Sequence, residues 1–454
     1  MKMKKVLCGL AAMTMLFTST ACGKEGKEDG KTVLNLMAFT EEVPGMVQKY
    51  LDTHPDFAKK YKVKTTVKAT DNGAYQDALD LALANNNSDS PDMYCAEAAF
   101  VLKYTQGDLA KYAATYDELG IDNVSGQIKD AEIAQYSVDI GTNPDGKVVA
   151  LGYQATGGAF IYRRSLAKDV YGTDDPKVIA EKIGSGSGSW DKFFEAAEDM
   201  KDKGYGMISG DGDLWHAVEN SSTNGWVVDN KLTIDKEREN FLDLSKKLMD
   251  NGYHNNTEDW QDGWFADMKD AGEKKIFGFF GPAWLINYTI APNCGGKKVG
   301  EGTYGDWAVC ESPIGFFWGG TWVLGNKNSS DEKKKAIGEI IEWITLDATK
   351  DGLQYMWANG TYDPEKPTKD CVASAKVMAM SDGSVEFLGG QNMFDVFVPA
   401  NSFANGKNLT QYDEKFNAAW RDQVRQYTAG NKSRDEAIEG FKQHVKDNYT
   451  VDVD

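Results

Sequence analysis

Histidine, cysteine and proline are scarce in this chain, at four, six and eleven residues of 454. His54, His216, His254 and His444 are scattered, and no Cys or His stands at metal-ligand spacing, so no metal is expected and the histidines read as structural. Asp211-Gly212-Asp213 lacks the further oxygen ligands of a calcium loop and reads as a solvated turn. No cofactor is expected. Positive charge is short as well: 50 Lys and Arg against 69 Asp and Glu give a formal charge of -19. Nucleic acid and anionic lipid would repel such a chain, so a nucleic-acid partner is excluded. Past Phe17 no apolar run reaches the length of a membrane helix.

Lys2, Lys4 and Lys5 precede an apolar run from Val6 to Phe17 that is too short to span a membrane, which is the pattern of a secretory leader. It ends in Ser19-Thr20-Ala21-Cys22-Gly23, small residues before a cysteine. This resembles a bacterial lipobox, with Ser19 where the pattern usually carries Leu. The resemblance implies a lipoprotein signal peptide over 1–21, lipidation of Cys22 and a flexible tether over 22–31. Otherwise cleavage is ordinary and Cys22 stays a plain thiol. Four cysteines then remain: Cys95, Cys294, Cys310 and Cys371. Cys294 and Cys310 could bridge the Gly-rich segment between them, or all four could be buried thiols; spacing does not choose.

A chain of this length exceeds one ordinary core, and two domains are the natural expectation. Val33 to Phe39 reads as a strand and is followed by Glu41-Glu42-Val43-Pro44, which suits the start of a helix. Val63 to Val67 alternates as a strand, Tyr75 to Ala82 recurs at helical spacing, and Pro91 to Cys95 is a short strand. Strands joined by helices imply an α/β fold with a parallel sheet, whose ligands sit beyond the carboxyl ends of its strands. Val148 to Gln154 and Ala159 to Tyr162 also read as strands, and Gly157-Gly158 between them permits a crossing or a bend. Ser189 can cap a helix carrying Phe193, Phe194, Ala197 and Met200. Further helices carry the stripe Ile337, Ile340, Ile341, Ile344 and the stripe Phe416, Trp420, Val424. Ser433 to Glu436 is a capping box.

Aromatic residues are plentiful where cysteine is not: eight of the twelve tryptophans lie between Trp215 and Trp322. A core of that size rarely needs so many indoles, so some are expected to face a cleft. The most informative stretch runs from Lys275 to Ile290. Ile276 to Phe280 has the length of a buried strand, Gly281-Pro282 breaks it, and a helical pattern follows. Trp284 is thereby set beside the free backbone N–H groups of a helix start.

The order of these parts resembles the extracellular solute-binding proteins of bacterial ABC sugar importers, of the maltose-binding type. The stretches that carry the resemblance are the lipobox, Pro91-Asp92-Met93-Tyr94, Asp145 to Leu151 followed by Phe160-Ile161-Tyr162-Arg163, Ser189-Trp190-Asp191-Lys192-Phe193, Gly281-Pro282-Ala283-Trp284 and Gly319-Gly320. The resemblance implies a two-lobed, periplasmic-binding-protein-like α/β fold with an interlobe cleft. Lobe 1 would comprise 32–152 with 319–359, and lobe 2 would comprise 156–311 with 366–454. Hinges would lie near 151–157, 310–315 and 359–366. The implied function is non-catalytic capture of an oligosaccharide and its delivery to membrane permease subunits, by a monomer held through its lipid on the extracytoplasmic face of the cell membrane.

Sugars offer apolar C–H faces and a rim of hydroxyls, so sites for them pair aromatic faces with carboxylates and amides. Matched position by position, the ligand-binding candidates are Glu41 and Glu42 after the first strand, Glu97 past the Pro-Asp strand, and Gln154 and Thr156 on the first hinge. Trp284 stands on the Gly-Pro turn, one position later than the aromatic of many family members. Trp215, Trp226, Trp260 and Trp264 lie in stretches rich in Asn, Asp and Gly and are expected on loops, with one or two lining the cleft; Trp215, Trp226 and Trp264 enter the candidate set. Trp318 and Trp322 border a hinge and enter the candidate set, with core packing and cleft wall both open. Two rival readings remain open on these residues: a secreted glycoside hydrolase, which needs only two suitably spaced acids, and a binder of peptides or other polar solutes.

Overall fold

The computed structural model describes residues 27–454; the leader, Cys22 and residues 23–26 lie outside the described residues, and the end of the expected tether is instead structured, Lys27–Glu28 pairing antiparallel with Lys31 and Thr32. Lys31–Ala38 is the first long strand. It is flanked in parallel by Tyr61–Val67 and Met93–Glu97. Beyond Met93–Glu97 come Thr321–Gly325, antiparallel, and then Ala150–Gly152. A strand from the last third of the chain is thus inserted into a sheet begun by the first 100 residues. Both faces of this sheet are covered, which explains its near-continuous apolar strands. Leu34, Leu36, Met93, Cys95 and Val323 are buried in one core. Met37, Tyr94, Ala96, Trp322 and Leu324 are buried in another.

A smaller sheet is centred on Ala159–Arg163, antiparallel to both Gly278–Gly281 and Trp307–Cys310. Single bridges from Gly206 to Ile276 and from Ile208 to His254 widen it. Phe160, Tyr162, Phe280 and Cys310 face a core completed by Asp413–Thr428 and Arg434–Asn448, through Phe416, Trp420, Val424 and Phe441. The capping box that opens the last helix is present, with Ser433 and Glu436 bonding reciprocally. The molecule is two α/β lobes, as expected. Ser189 behaves slightly differently from expectation: Trp190 is the cap residue, and the Ser189 hydroxyl instead accepts the N–H of Asp191 at 3.1 Å.

Three segments run side by side between the sheets. Gly158 N–H donates to the Phe316 carbonyl at 2.9 Å, and Trp318 N–H to that of Thr156 at 3.1 Å. Ala155 N–H donates to Cys371 at 3.2 Å, and Ala373 N–H to Tyr153 at 2.8 Å. A Cβ on Gly158 would fall 2.0 Å from the Phe316 ring, so only glycine allows this approach. Cys95, Cys294, Cys310 and Cys371 are all free and buried. Cys294 and Cys310 sit in different cores, and no bridge joins them. No helix of the described residues is long and apolar enough to cross a membrane.

Candidate functional site

The strand Gly278–Gly281 ends at Pro282, and a helix starts at Ala283. Its middle, Ile286–Ile290, is a π-helical turn, a local widening that is frequent at functional sites. Trp284 and Tyr288, four residues apart, are half-buried and 44% exposed respectively. The Trp284 indole N–H donates to the Trp318 carbonyl at 3.1 Å. Its ring lies nearly parallel to Trp260, at 11° and 6.2 Å between centroids. Trp318 meets Trp284 edge-on at 4.7 Å and Trp260 at 6.0 Å. Trp260 is 48% exposed and held in the left-handed backbone region at φ 66°. Three indoles from three separate segments therefore make one aromatic surface.

The first lobe meets this surface through Glu97. A Cβ on Gly319, which itself has φ +74°, would stand 3.4 Å from both Glu97 Oε1 and Trp284 Nε1. Carboxyl and indole thus face each other across a residue with no side chain. Burial pushes Glu97 up to about 7; the N–H of Ala99, which donates to it at 2.8 Å, works against this, and Glu219 and Glu414 add to it. Behind Trp318, His216 stacks at 3.5 Å and 12°. Its Nε2 is 3.2 Å from Asp259 Oδ2, and Asp259 also takes a two-pronged bond from Arg421 at 2.6 and 3.1 Å. Burial works to raise Asp259, but His216 and Arg421 outweigh it and hold the carboxyl well below the usual range. Burial alone would lower His216, yet Asp259 and Glu219 outweigh that and raise it. The ion pair fixes the imidazole, and the imidazole fixes Trp318.

A family model for bacterial extracellular solute-binding proteins matches residues 52–381. The chain belongs to that family. Solved structures share its fold throughout. One is an extracellular solute-binding protein of family 1, at 16% identity and a TM-score of 0.71, covering 91% of this chain and 99% of the other. Another is the galacto-N-biose/lacto-N-biose I-binding protein of the Bifidobacterium longum ABC transporter in complex with lacto-N-biose. There the identity is 18%, the TM-score 0.62, and the coverage 94% of this chain and all of the other. Maltose-bound MalE3 of T. maritima gives 14% and 0.60, covering 91% and 99%. No curated protein sequence matches the chain.

In this solute-binding protein the expected residues divide sharply. Trp284, Trp318 and Glu97 come together as described. Glu42 and Gln154 lie further along, beside Asp370: the Tyr153 hydroxyl donates to Glu42, and Gln154 Nε2 donates to Asp370 at 3.4 Å. Glu41 is exposed at the helix start and accepts no capping bond through its side chain. Thr156 is buried and pins two crossing segments, its hydroxyl donating to the Gly319 carbonyl at 2.9 Å.

Four tryptophans are corrected from cleft to core. Trp215 lies on the helix Asp211–Glu219, packed against Phe241. Trp226 is enclosed by Phe441, Trp420 and the Arg238 guanidinium, and its N–H donates to Asn417 at 2.7 Å. Trp264 packs on Phe279 and donates to Asp213 at 2.9 Å; Trp322 donates to the Ser137 carbonyl at 3.0 Å. All four are fully buried with no face to offer a solute.

Asp211-Gly212-Asp213 is a further correction. It opens a helix rather than forming a solvated turn, and buried Asp213 accepts the N–H groups of Ser209 and Gly210, each at 3.1 Å. Among the described residues no group of three or more His, Cys, Asp or Glu could hold a metal. The sequence reading missed Asp259 and Arg421 and took His216 as merely structural. It also left Trp260, the loop-borne one of its neighbours, out of the candidate set.

Proposed function

We propose that this protein is a non-catalytic receptor that takes an oligosaccharide between its lobes and delivers it to the permease subunits of an ABC importer. The observation that carries this reading is the surface of Trp260, Trp284 and Trp318 facing the Glu97 carboxyl across Gly319. An indole face suits the C–H face of a sugar ring, and a carboxyl at its edge suits the in-plane hydroxyls. More than one exposed ring suits more than one sugar unit. Relatives of the same fold were determined with lacto-N-biose and with maltose, which supports the ligand class.

The lobe boundaries belong to the same proposal: 32–152 with 319–359 against 156–311 with 366–454, hinged near 151–157, 310–315 and 359–366. Side-by-side hydrogen bonding of the crossing segments supports it. Ala134 N–H donates to Ala373 at 2.8 Å, and the Ser374 hydroxyl donates to Ala131 at 2.5 Å. These bonds tie the start of the last segment to the first lobe as well, so the third hinge extends to Ser374. Lobes that close on the solute give the importer a state to recognise. The protein is proposed to work as a monomer, anchored through lipidated Cys22 on the extracytoplasmic face. Incubation with end-labelled oligosaccharides tests the absence of chemistry. Ligand should be recovered intact; shorter labelled products would turn the reading toward a glycoside hydrolase.

A further inference from the structure

Trp260 is held in a conformation that its residue type resists. The N–H of Gln261 donates to the Glu258 carbonyl at 3.3 Å and closes a turn with Asp259 and Trp260 at its centre. Trp260 takes the second central position at φ 66°, in the left-handed region that such a turn usually gives to glycine. A bulky side chain is strained there, and the strain persists only where the surroundings over-determine it. Strain of this kind is characteristic of ligand clamps, so what imposes it on Trp260 bears on the cleft.

The constraint converges on the residue before it. Arg421, on the helix Asp413–Thr428, donates to both Asp259 carboxylate oxygens at 2.6 and 3.1 Å, and His216 Nε2 lies 3.2 Å from Oδ2. The Asp259 and Arg421 side chains are only 9% and 17% exposed. The helix Asp211–Glu219 comes this close because residue 212 has no side chain. A Cβ on Gly212 would stand 2.6 Å from Asp259 Oδ1 and 2.7 Å from the Arg421 guanidinium. Two residues ahead of Asp259 the loop is pinned again, the Thr257 N–H donating to the Ser209 carbonyl at 3.3 Å and the two hydroxyls lying 2.5 Å apart.

Two cleft indoles therefore hang on one carboxylate. Trp260 is its covalent neighbour, and Trp318 is reached through the stacked His216 ring. A buried ion pair adds little net stability over apolar residues of the same shape, because desolvation offsets the attraction. What a two-pronged guanidinium–carboxylate pair supplies is direction, since its fork fits one planar arrangement. Rings that cannot swivel favour solutes whose faces match their tilt, and they bind without a further ordering cost. We infer that Arg421 and Asp259 are positioning residues, which set the tilt of Trp260 and Trp318 and through it both the affinity and the selectivity of the cleft for its sugar. This rests on the reading of the cleft as a sugar site.

The test compares Arg421→Met, Asp259→Asn and the double variant Asp259→Leu/Arg421→Met, which removes both charges together, in the full mature chain. Arg434→Met, in a solvent-facing ion pair on the last helix, controls for the loss of an arginine. Circular dichroism reads the parallel Trp260–Trp284 pair as an exciton couplet, taken as the difference between the wild type and Trp260→Phe. The couplet should collapse in each clamp variant and stay unchanged in Arg434→Met, while the double variant still melts cooperatively. Calorimetry with maltotriose, cellotriose and lacto-N-biose should show the preferred sugar bound at least about fivefold more weakly, with a smaller margin over the next. A folded variant that keeps the couplet, or that loses it with affinities and margin intact, would overturn the positioning role. Loss of cooperative melting in the double variant would assign the pair to the fold instead. Binding of none of the sugars by the wild type would overturn the sugar reading and the selectivity drawn from it, whereas the couplet separately decides whether the clamp sets the indoles.

Discussion

Trp260 and Trp226 show how two indoles close in sequence do different work. Trp260 is about half exposed and lies on Trp284 and Trp318, with buried Trp264 the one core indole beside it, so Trp260→Ala should change stability by no more than about 1 kcal/mol. Calorimetry should nonetheless record a several-fold loss of ligand affinity. Trp226→Ala would open a cavity among Phe441, Trp420 and Arg238 and strand Asn417, costing about 3–5 kcal/mol in urea unfolding. A stability loss at Trp260 as large as that at Trp226 would mean the cleft indoles are core. Glu42 gives a pH signature. A carboxyl raised from 4.5 to about 8 on folding binds more protons folded than unfolded between those values, so its contribution falls as pH rises through that window. Glu42→Gln should therefore raise the melting temperature at pH 8 and leave it nearly unchanged at pH 4. Because Glu42 keeps partial exposure, the full effect of the shift is reduced and the gain at pH 8 is about 1–2 kcal/mol. A uniform shift at both pH values would contradict it. What the sequence could not disclose at this scale was pairing at a distance: His216 finds Asp259 and Trp318 only once a helix, a loop and a crossing segment have come together. Trp215 and Trp264 were placed on loops because their neighbours are Asn, Asp and Gly, yet both sit on short helices whose inner face composition does not reveal.

Among the elements, the Gly-Pro turn was legible because period and punctuation agree: an apolar aromatic run, a breaker, then helical spacing. The strand forms at Gly278–Gly281, slightly later than the run suggests, because Ile276 bridges to Gly206 instead. The π-helical turn after it was not legible. It is the element that leaves Tyr288 exposed while Leu285 and Thr289 stay buried, where an ordinary α-helix would set positions 285, 288 and 289 on one face. Gly157-Gly158 was correctly suspected of permitting close approach. Gly158→Ala would drive a methyl into the Phe316 ring and separate two hydrogen-bonded crossing segments. It should cost at least about 1–3 kcal/mol by denaturant unfolding. A neutral substitution would show that the segments do not hold each other.

At the scale of the molecule, the two lobes already touch away from the indoles. Gln76, on the helix Ala74–Asn85, donates to Glu414 at 2.7 Å, and Asp108 N–H donates to Gln411 at 3.2 Å. Apolar contact joins them as well: Gly406 lies against Ile140, and Ala404 and Leu409 pack on the core that holds Tyr136 and Ile140. The fold was readable because alternating strands and helices leave few topologies. The narrower content of the cleft was not, because it is assembled from residues between Glu42 and Arg421. The central claim is that the Trp284 side of this cleft holds an oligosaccharide. Titration calorimetry of the wild type and Trp284→Ala against a panel of oligosaccharides tests it most directly. The expected result is saturable binding of at least one sugar by the wild type, weakened at least about tenfold in the variant while its melting curve is preserved. Binding unchanged by the substitution, or a panel bound by neither protein while peptides are bound, would contradict it.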